Sequence, residues 1–268
     1  MSRLEATFAA LRKRGERALM PYFTAGDPSL SVTRQLVVEA TKRGADIVEL
    51  GIPFSDPLAD GPVIQRAGQR ALQAGVTLPR VIELVRELRG DVSVPLVFFT
   101  YYNPVLAFGL RPFCRAAVDA GGDALIVVDL PPEEAGPLRA EADPVGLELI
   151  YLVAPTSTPE RMRKIARATG SFVYMVSLTG VTGARAELAL DLAGHLRALR
   201  GITTKPICVG FGIGTPEQAR LVGGYADGVI VGSAVVSLVE RHAGSPELVS
   251  RVGDFIAALK APLREPKP

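Results

Sequence analysis

The most regular feature of this sequence is the alternation of short apolar runs with amphipathic stretches. Eight apolar runs recur at nearly even intervals: Leu19–Phe23, Ile47–Leu50, Leu96–Phe99, Ala124–Val128, Leu147–Val153, Phe172–Val176, Ile207–Val209 and Gly228–Val231. Between them lie stretches with the period of an α-helix, among them Val32–Thr41, Val81–Leu88, Phe113–Asp119, Pro159–Ala168, Leu188–Leu199 and Pro216–Val222. Strands that alternate with helices in this way predict parallel βαβ units.

Eight such units predict an α/β fold, a single (β/α)8 TIM barrel formed as one domain by all 268 residues. An open, doubly wound sheet is the alternative that the pattern leaves. Residues 1–17 are predicted to form an extra N-terminal helix, because Leu4, Phe8 and Leu11 recur at helical spacing. Residues 262–268 are expected to form a C-terminal tail.

Charge and composition narrow the classes of partner. The formal net charge is only +2 and both signs are interspersed, so the basic stripe of a nucleic-acid binder is missing and no such partner is expected. No apolar run approaches the roughly 18 residues of a membrane span, and the N-terminus lacks the apolar segment of a signal peptide. The two cysteines, Cys114 and Cys208, are predicted to be reduced core thiols. We expect a cytoplasmic protein with no membrane contact.

The second apolar run carries a carboxylate, Glu49, where a strand buried on both faces should read as continuous Val, Ile and Leu. A buried acid costs free energy unless it is paired or held neutral by a raised pKa. Strand alternation puts Glu49 on the same side as Ile47, and Val48 on the other. If the side of Glu49 faces the barrel mouth, apolar walls raise its pKa toward neutrality, which suits a catalytic acid and base. The alternative is an ion pair inside the barrel.

Proline, glycine and aspartate then form a loop with two more carboxylates, Asp56 and Asp60. Asp60 lies eleven residues after Glu49, near enough along the chain to fold back over the same mouth. An ordinary loop carboxylate is the alternative reading of Asp60. Asp56 is interpreted as loop structure or a surface contact rather than as a catalyst. Asp129, at the end of the fourth run, is a candidate for fixing loop geometry through hydrogen bonds.

Glycine-rich turns follow three of the runs. Gly210–Gly214 and Val231–Ala234 follow the last two, and Gly180–Gly183 follows the sixth. Barrel enzymes often hold a phosphate between the loops after the seventh and eighth strands, at the N-terminus of a short helix. Glycine lets backbone N–H groups approach the phosphate oxygens, and the helix dipole favours the dianion. We therefore predict a phosphorylated substrate; glycines that serve only tight turns are the alternative.

The placement of lysine and histidine excludes two other kinds of chemistry. None of the six lysines lies at the C-terminal end of a predicted strand, as a Schiff-base aldolase requires, and Lys205 precedes the seventh run at the opposite barrel face. The two histidines, His195 and His242, lie in predicted outer helices, away from any ligand cluster. No metal is expected, and acid–base catalysis by carboxylates remains.

Five motifs together carry a resemblance to a known family: Tyr22–Pro28, Glu49–Pro62, Gly180–Gly183, Gly210–Ile213 and Gly232–Ser233. The second motif is long and specific. From about Pro21 to Ser233 the sequence resembles the alpha subunits of tryptophan synthase. The resemblance implies a (β/α)8 barrel that cleaves indole-3-glycerol phosphate to indole and glyceraldehyde 3-phosphate, which is a retro-aldol reaction.

The resemblance implies roles for particular residues. Glu49 is implied as the acid–base group that acts on indole C3 and on the side-chain hydroxyl. Asp60 is implied as the carboxylate that binds the indole N–H and stabilises positive charge on the ring. The matching substrate-binding positions are Tyr174 near the site, Phe211 as the wall against the indole, Thr182 and Gly183 in the closing loop, and Gly212, Gly232 and Ser233 in the phosphate cradle. The corresponding indole-pocket positions are Phe98, Thr100, Ile126 and Val128.

The resemblance also implies a partner. In the family the alpha subunit works in an α2β2 complex whose beta subunit holds pyridoxal phosphate and joins indole, delivered through a tunnel, to serine. Pro53, Asp56 and Pro57 fall on the loop that faces this partner, and no cofactor is expected in the chain itself. Two alternatives remain. One is another phosphate-binding barrel enzyme, such as a sugar-phosphate isomerase or epimerase, and the other is a barrel that serves mainly to regulate a beta subunit.

Overall fold

The strands of the fold follow the predicted apolar runs. The computed structural model describes residues 1–176, 185–210 and 212–265, with 185–191 described by their backbone alone. Nine strands lie in these residues: β1 (Ala18–Thr24), β2 (Val48–Gly51), β3 (Leu96–Thr100), β4 (Ala124–Val127), β5 (Glu148–Ile150), β6 (Leu152–Val153), β7 (Val173–Val176), β8 (Ile207–Gly210) and β9 (Gly228–Val231). All of the pairings between them are parallel.

The strand order closes the sheet into a barrel. It runs β5-β4-β3-β2-β1-β9-β8-β7-β6, so the two ends of the sheet are β5 and β6, which Tyr151 alone separates along the chain. The fifth run, expected as one strand, is split because the Tyr151 N–H donates to Thr169 Oγ1 at 3.0 Å instead of to a neighbouring strand. The predicted (β/α)8 barrel is therefore confirmed, with its fifth strand in two pieces, and the open sheet is excluded.

Helices cover the outside of this barrel. Those in the described residues are α1 (Arg3–Arg14), α2 (Leu30–Lys42), α3 (Pro62–Gln73), α4 (Leu78–Asp91), α5 (Tyr102–Phe108), α6 (Leu110–Asp119), α7 (Gly136–Ala142), α8 (Pro159–Ala168), α9 (Arg185–Arg200), α10 (Pro216–Tyr225), α11 (Ser233–His242) and α12 (Leu248–Lys260). The hydrophobic pattern named six of these and the N-terminal helix, but not α3, α5, α7, α11 or α12. None of the helices in the described ranges is long and apolar enough to cross a membrane.

Helix α1 closes one end of the barrel. Ser2 caps it, with the Ser2 hydroxyl accepting from the Glu5 N–H at 3.1 Å and the Glu5 carboxylate accepting from the Ser2 N–H at 2.8 Å. Its apolar face, which carries Phe8, packs inside the barrel, and the Phe8 ring lies 5.7 Å from that of Phe172 just before β7. Water is thereby excluded from the N-terminal end of the strands, and the C-terminal end is left for chemistry.

The two faces of strand β2 pack into different apolar clusters. Ile47, just before the strand, belongs to the cluster inside the barrel, together with side chains of β1, β3, β4, β7 and β8. Val48 and Leu50 belong to the cluster between the barrel and its outer helices. This alternation is the one predicted from the sequence, and it places the intervening Glu49 on the inner side.

A buried ion pair ties the last helix to the N-terminal end of the barrel. Lys260 is only 2% exposed, and its Nζ donates to Asp46 Oδ2 at 2.8 Å and lies 3.3 Å from Glu16 Oε2. Beyond it, Pro262 and Leu263 are buried in a short 3-10 turn. The packed part of the chain therefore continues into the stretch that was expected to be a tail.

Candidate active site

Glu49 is a buried acid that has no charge partner among the residues that the structure describes. Its side chain is directed into the barrel, it is 1% exposed, and its Oε1 has no hydrogen-bond partner among the described residues. Burial raises the pKa of Glu49 to about 8, and no described cation offsets this shift. The reading of Glu49 as half of an internal ion pair therefore fails, and its carboxyl group is protonated at neutral pH.

Two tyrosines, Tyr22 and Tyr174, lie near this carboxyl group, on the side of the barrel mouth. Tyr22 on β1 is the direct neighbour of Glu49 on β2 in the strand register. The Tyr22 hydroxyl lies over Gly51, and a methyl group at position 51 would overlap it. Tyr174 on β7 repeats the arrangement, because its hydroxyl lies over Gly210 at the end of β8. Both strand-end glycines are thus required for the tyrosines to approach the neighbouring backbone so closely.

Asp60 lies over the same mouth. It is half-buried in the loop between β2 and α3, and burial raises its pKa to about 6, while hydrogen bonding to the Tyr101 hydroxyl opposes the rise. Tyr101 also accepts the N–H of Ala59 at 2.9 Å, so it anchors the loop at this point. The charge of Asp60 raises the pKa of Tyr22, as does that of Glu49, although burial raises it most. Both carboxylates therefore act on one tyrosine, as expected if the loop folds back over the mouth.

Neither Tyr22 nor Tyr101 was assigned a role from the sequence, although both belong to the site. In the sequence Tyr22 is marked only as the first residue of a motif. The signal that marks them is a hydroxyl-bearing aromatic residue at the C-terminal end of a strand, beside a loop that carries carboxylates. In a barrel that position faces the active site.

Two of the predicted phosphate loops meet at this mouth. After β8, Gly212 adopts a φ of 73°, and a Cβ on Gly214 would contact the Cβ of Ala234 at 3.4 Å. Gly232 precedes Ser233, the first residue of α11, and no side chain of the described residues caps this helix. The N–H groups of its first turn and the helix dipole make this end of α11 suitable for a phosphate.

The phosphate loops lie next to the tyrosine and the acids. A Cβ on Gly232 would contact the Cβ of Tyr22 at 3.8 Å, so the start of α11 lies against Tyr22, the neighbour of Glu49. Three other predicted site residues lie outside the part of the chain that the structure describes. They are Thr182 and Gly183 of the expected closing loop, and Phe211 of the expected aromatic wall.

The expected indole-pocket positions are partly wrong. Phe98 faces the outer helices, where its ring lies 6.0 Å from that of Phe113. The residue on the inner side is Phe99, which packs edge-on against Tyr22 with 5.4 Å between ring centroids. Alternation puts Thr100 on the same side as Phe98, whereas Ile126 and Val128 pack inside the barrel as expected.

Asp129 and Asp56 lie in loops at the mouth of the barrel. The Asp129 carboxylate accepts the N–H of Tyr102 at 2.8 Å and so holds the start of α5, which confirms its predicted role in loop geometry. Asp56 is exposed, and its carboxylate accepts the Ser55 hydroxyl. Pro53 and Pro57 are only partly covered, and Leu58 between Asp56 and Asp60 is almost fully exposed.

Among the described residues, neither a lysine nor a histidine accompanies the carboxylates at the mouth. Lys205 lies at the opposite end of the barrel, where its Nζ donates to the Thr169 carbonyl. The other lysines of the described ranges all lie in helices. His195 and His242 lie in α9 and α11. Within the described residues there is no group of three or more His, Cys, Asp or Glu side chains that could hold a metal ion.

The unpaired Glu49 should make stability depend on pH. We expect the wild-type chain to lose stability relative to Glu49→Gln as the pH rises from 5 to 8. The unfolded chain releases this proton near pH 4.5 and the folded chain near pH 8, so in between the unfolded state binds fewer protons and the free energy of unfolding falls as pH rises. The slope is up to about 1.4 kcal/mol per pH unit. Urea unfolding at pH 5, 6.5 and 8 measures it.

The control for this comparison is Glu134→Gln, which removes an exposed carboxylate. Its difference from the wild type should stay flat over the same pH range, because an exposed charge is solvated in both the folded and the unfolded state. A difference between wild type and Glu49→Gln that did not change with pH would contradict a buried, neutral Glu49.

Comparisons with known proteins agree with this geometry. The family model for the tryptophan synthase alpha chain matches residues 8–261. The tryptophan synthase alpha chain of Geobacter sp. strain M21 is 52% identical over 260 residues, 97% of each chain, and that of Gloeobacter violaceus is 48% identical over 96% of this chain and 94% of its own. A crystal structure of tryptophan synthase subunit alpha from Legionella pneumophila has a TM-score of 0.90 at 37% identity, covering 98% of each chain. The chain therefore belongs to the tryptophan synthase alpha chain family, a family of lyase subunits with the TIM-barrel fold.

Proposed function

We propose that this chain cleaves indole-3-glycerol phosphate to indole and glyceraldehyde 3-phosphate. The observation that carries the proposal is Glu49, a buried acid for which the described part of the chain supplies no counter-charge and whose pKa is raised to about 8. Such a group is protonated at neutral pH and yet lies within reach of ionisation, so it can give a proton and take one back in a single cycle.

In the proposed reaction Glu49 gives its proton to indole C3, which turns the ring into a cationic indolenine. The Glu49 carboxylate then takes the proton of the side-chain hydroxyl next to C3. As that oxygen becomes an aldehyde carbonyl, the bond between C3 and the side chain breaks and its electron pair returns to the ring. Glu49 ends protonated as it began, and no water or other reactant is consumed. Asp60 accepts the indole N–H and stabilises the cation.

The remaining predicted residues bind the substrate in this proposal. Gly212, Gly232 and Ser233 hold the phosphate at the start of α11, where backbone N–H groups and the helix dipole favour a dianion. Tyr174 lines the pocket beside Glu49. The proposal gives Phe211, Thr182 and Gly183 the roles of aromatic wall and closing loop that their sequence motifs imply.

We further propose an assembly with a tryptophan synthase beta subunit as an α2β2 complex in the cytoplasm. The loop with Pro53, Asp56 and Pro57 supports this, because its Leu58 side chain is almost fully exposed at the edge of the active-site mouth. An exposed apolar side chain in this position is suited to be covered by a partner. Alpha chains of this family carry no cofactor of their own, and pyridoxal phosphate is held by the beta subunit. Indole released here is proposed to pass to that subunit.

The first test is Glu49→Gln. We expect it to abolish indole release while the chain still binds a substrate analogue, because the amide keeps the shape of the side chain but cannot exchange protons at neutral pH. Indole release from indole-3-glycerol phosphate and analogue binding by calorimetry measure the two parts. Turnover near the wild-type level would refute the role of Glu49. A sugar-phosphate isomerase or epimerase would release no indole even as wild type.

The second test is Asp60→Asn. Removing the charge that faces the developing ring cation should lower kcat by roughly 10²–10³-fold. Asp56→Asn, on the same loop but exposed, is the matched control and is measured without any beta subunit. If kcat of Asp60→Asn fell by less than about threefold, Asp60 would be an ordinary loop carboxylate without a catalytic role.

The third test separates an enzyme from a mainly regulatory barrel. We expect the isolated chain to release indole slowly and a tryptophan synthase beta subunit to accelerate it, because the partner would cover the exposed loop that carries Asp60. The measurement is indole release with increasing beta subunit. Ample basal turnover without stimulation would count against the coupled complex, and negligible turnover in both conditions would favour the regulatory alternative.

A further inference from the structure

We propose that the Tyr22 hydroxyl takes part in the cleavage: it donates a hydrogen bond to the substrate oxygen from which Glu49 removes a proton. The proposal rests on the retro-aldol function proposed above. It assigns to Tyr22 a catalytic contact, beyond the two carboxylates.

Tyr22 lies where such a contact is possible. In the strand register it is the neighbour of Glu49, and its ring rises toward the mouth, so that the hydroxyl lies over Gly51, two residues beyond Glu49 on the same inner side. Phe99 supports the ring edge-on, with 5.4 Å between the centroids. The start of α11 is the third neighbour, since a Cβ on Gly232 would contact the Tyr22 Cβ at 3.8 Å. The base of the side chain therefore lies against α11, while the hydroxyl lies over β2, where the charges of both Asp60 and Glu49 act on it.

The proton of this hydroxyl is available to a ligand. Thr24 Oγ1 donates to the Tyr22 oxygen at 3.4 Å, so the tyrosine is the acceptor in that bond. Of the residues that the structure describes, only Thr24 forms a hydrogen bond with this hydroxyl. Tyr22 is only 7% exposed, so bulk water has little access to its side chain. A buried hydroxyl with an unused proton at the edge of an active site is suited to donate to a substrate.

The electrostatic surroundings keep that proton on the tyrosine. Burial, the charge of Asp60 and the charge of Glu49 all raise the pKa of Tyr22 above its usual value. Tyr22 is thus a neutral donor at every pH at which the carboxylates work. It does not transfer its proton during the reaction, and the proton balance between Glu49 and the substrate is unchanged.

The chemistry leaves a place for such a donor. When Glu49 takes the hydroxyl proton, the substrate oxygen gains negative charge before the carbonyl is complete. Asp60 is negative and is suited to the opposite charge, the cation on the ring. A neutral donor fixed beside Glu49 would stabilise the oxygen without repelling or neutralising either carboxylate.

The test is Tyr22→Phe, which keeps the ring, its contact with Phe99 and its packing over Gly51, and removes only the hydroxyl. We expect kcat for indole release to fall by roughly 100-fold, as when one donor to a developing oxyanion is removed. Binding of 3-(indol-3-yl)propyl phosphate should stay within about twofold of wild type, because this analogue lacks the side-chain hydroxyls. The pH profile of kcat should keep its shape.

Tyr151→Phe is the matched control. Tyr151 is also a buried tyrosine, but it faces the outer helices, and its hydroxyl has no hydrogen-bond partner among the described residues. Its variant should keep wild-type turnover. If both variants lost activity alike, a general effect of removing a buried hydroxyl would replace the proposal.

Three results would overturn the assignment of Tyr22. One is a kcat within about threefold of wild type, and another is loss of analogue binding together with kcat. The third is a shifted pH profile with an unchanged maximal rate, which would mean that Tyr22 only tunes Glu49. Glu49→Gln is measured alongside. If Glu49→Gln is active, the proposed function fails. If Glu49→Gln is inactive and Tyr22→Phe is active, only the assignment of Tyr22 fails.

Discussion

The burial of the Glu49 carboxyl group, with no counter-ion in the described ranges of the chain, is the constraint on which this site depends. Glu49 has apolar side chains below it, tyrosines above it and no described cation near it, so its neutral form is favoured. A single lysine or arginine inside the barrel would restore the charged form and remove the acid. The packing of α1 against the lower end of the barrel serves the same purpose, because it keeps water from solvating the carboxylate from below.

The barrel separates its two kinds of buried charge by their position along the strands. At the N-terminal end Lys260 is buried with Asp46 and Glu16, so its charge is compensated and the contact is structural. At the C-terminal end Glu49 is buried away from every described cation, a state that costs free energy and makes the group reactive. Stability and chemistry thus occupy opposite ends of the same strands, as in other barrels of this class.

How far the sequence predicts this site depends on whether a polar residue marks a strand face. In β2 the lone acid Glu49 identifies the inner side, and its orientation was predicted correctly. In β3 both faces are apolar, so nothing in the local pattern distinguishes Phe98 from Phe99, and the wrong one was assigned to the pocket. The pattern does not distinguish Tyr22 either, because β1 is buried along its whole length and neither of its faces is marked by a charged residue. The split of the fifth strand depends on the hydroxyl of Thr169, eighteen residues away, which no local pattern reveals.

The two carboxylates differ in a way that sets the order of the proposed reaction. Burial raises both pKa values, but Glu49 is fully buried and Asp60 only half-buried, and the Tyr101 hydroxyl also stabilises the charged form of Asp60. The pKa of Asp60 is therefore about 6 and that of Glu49 about 8, and between these values the resting site holds one ionised and one protonated carboxyl group. Cleavage needs C3 protonated first while a negative charge awaits the ring cation, and this is the only one of the four protonation states that supplies both. The shallower burial of Asp60, together with its hydrogen bond to Tyr101, thus gives two similar acids different tasks.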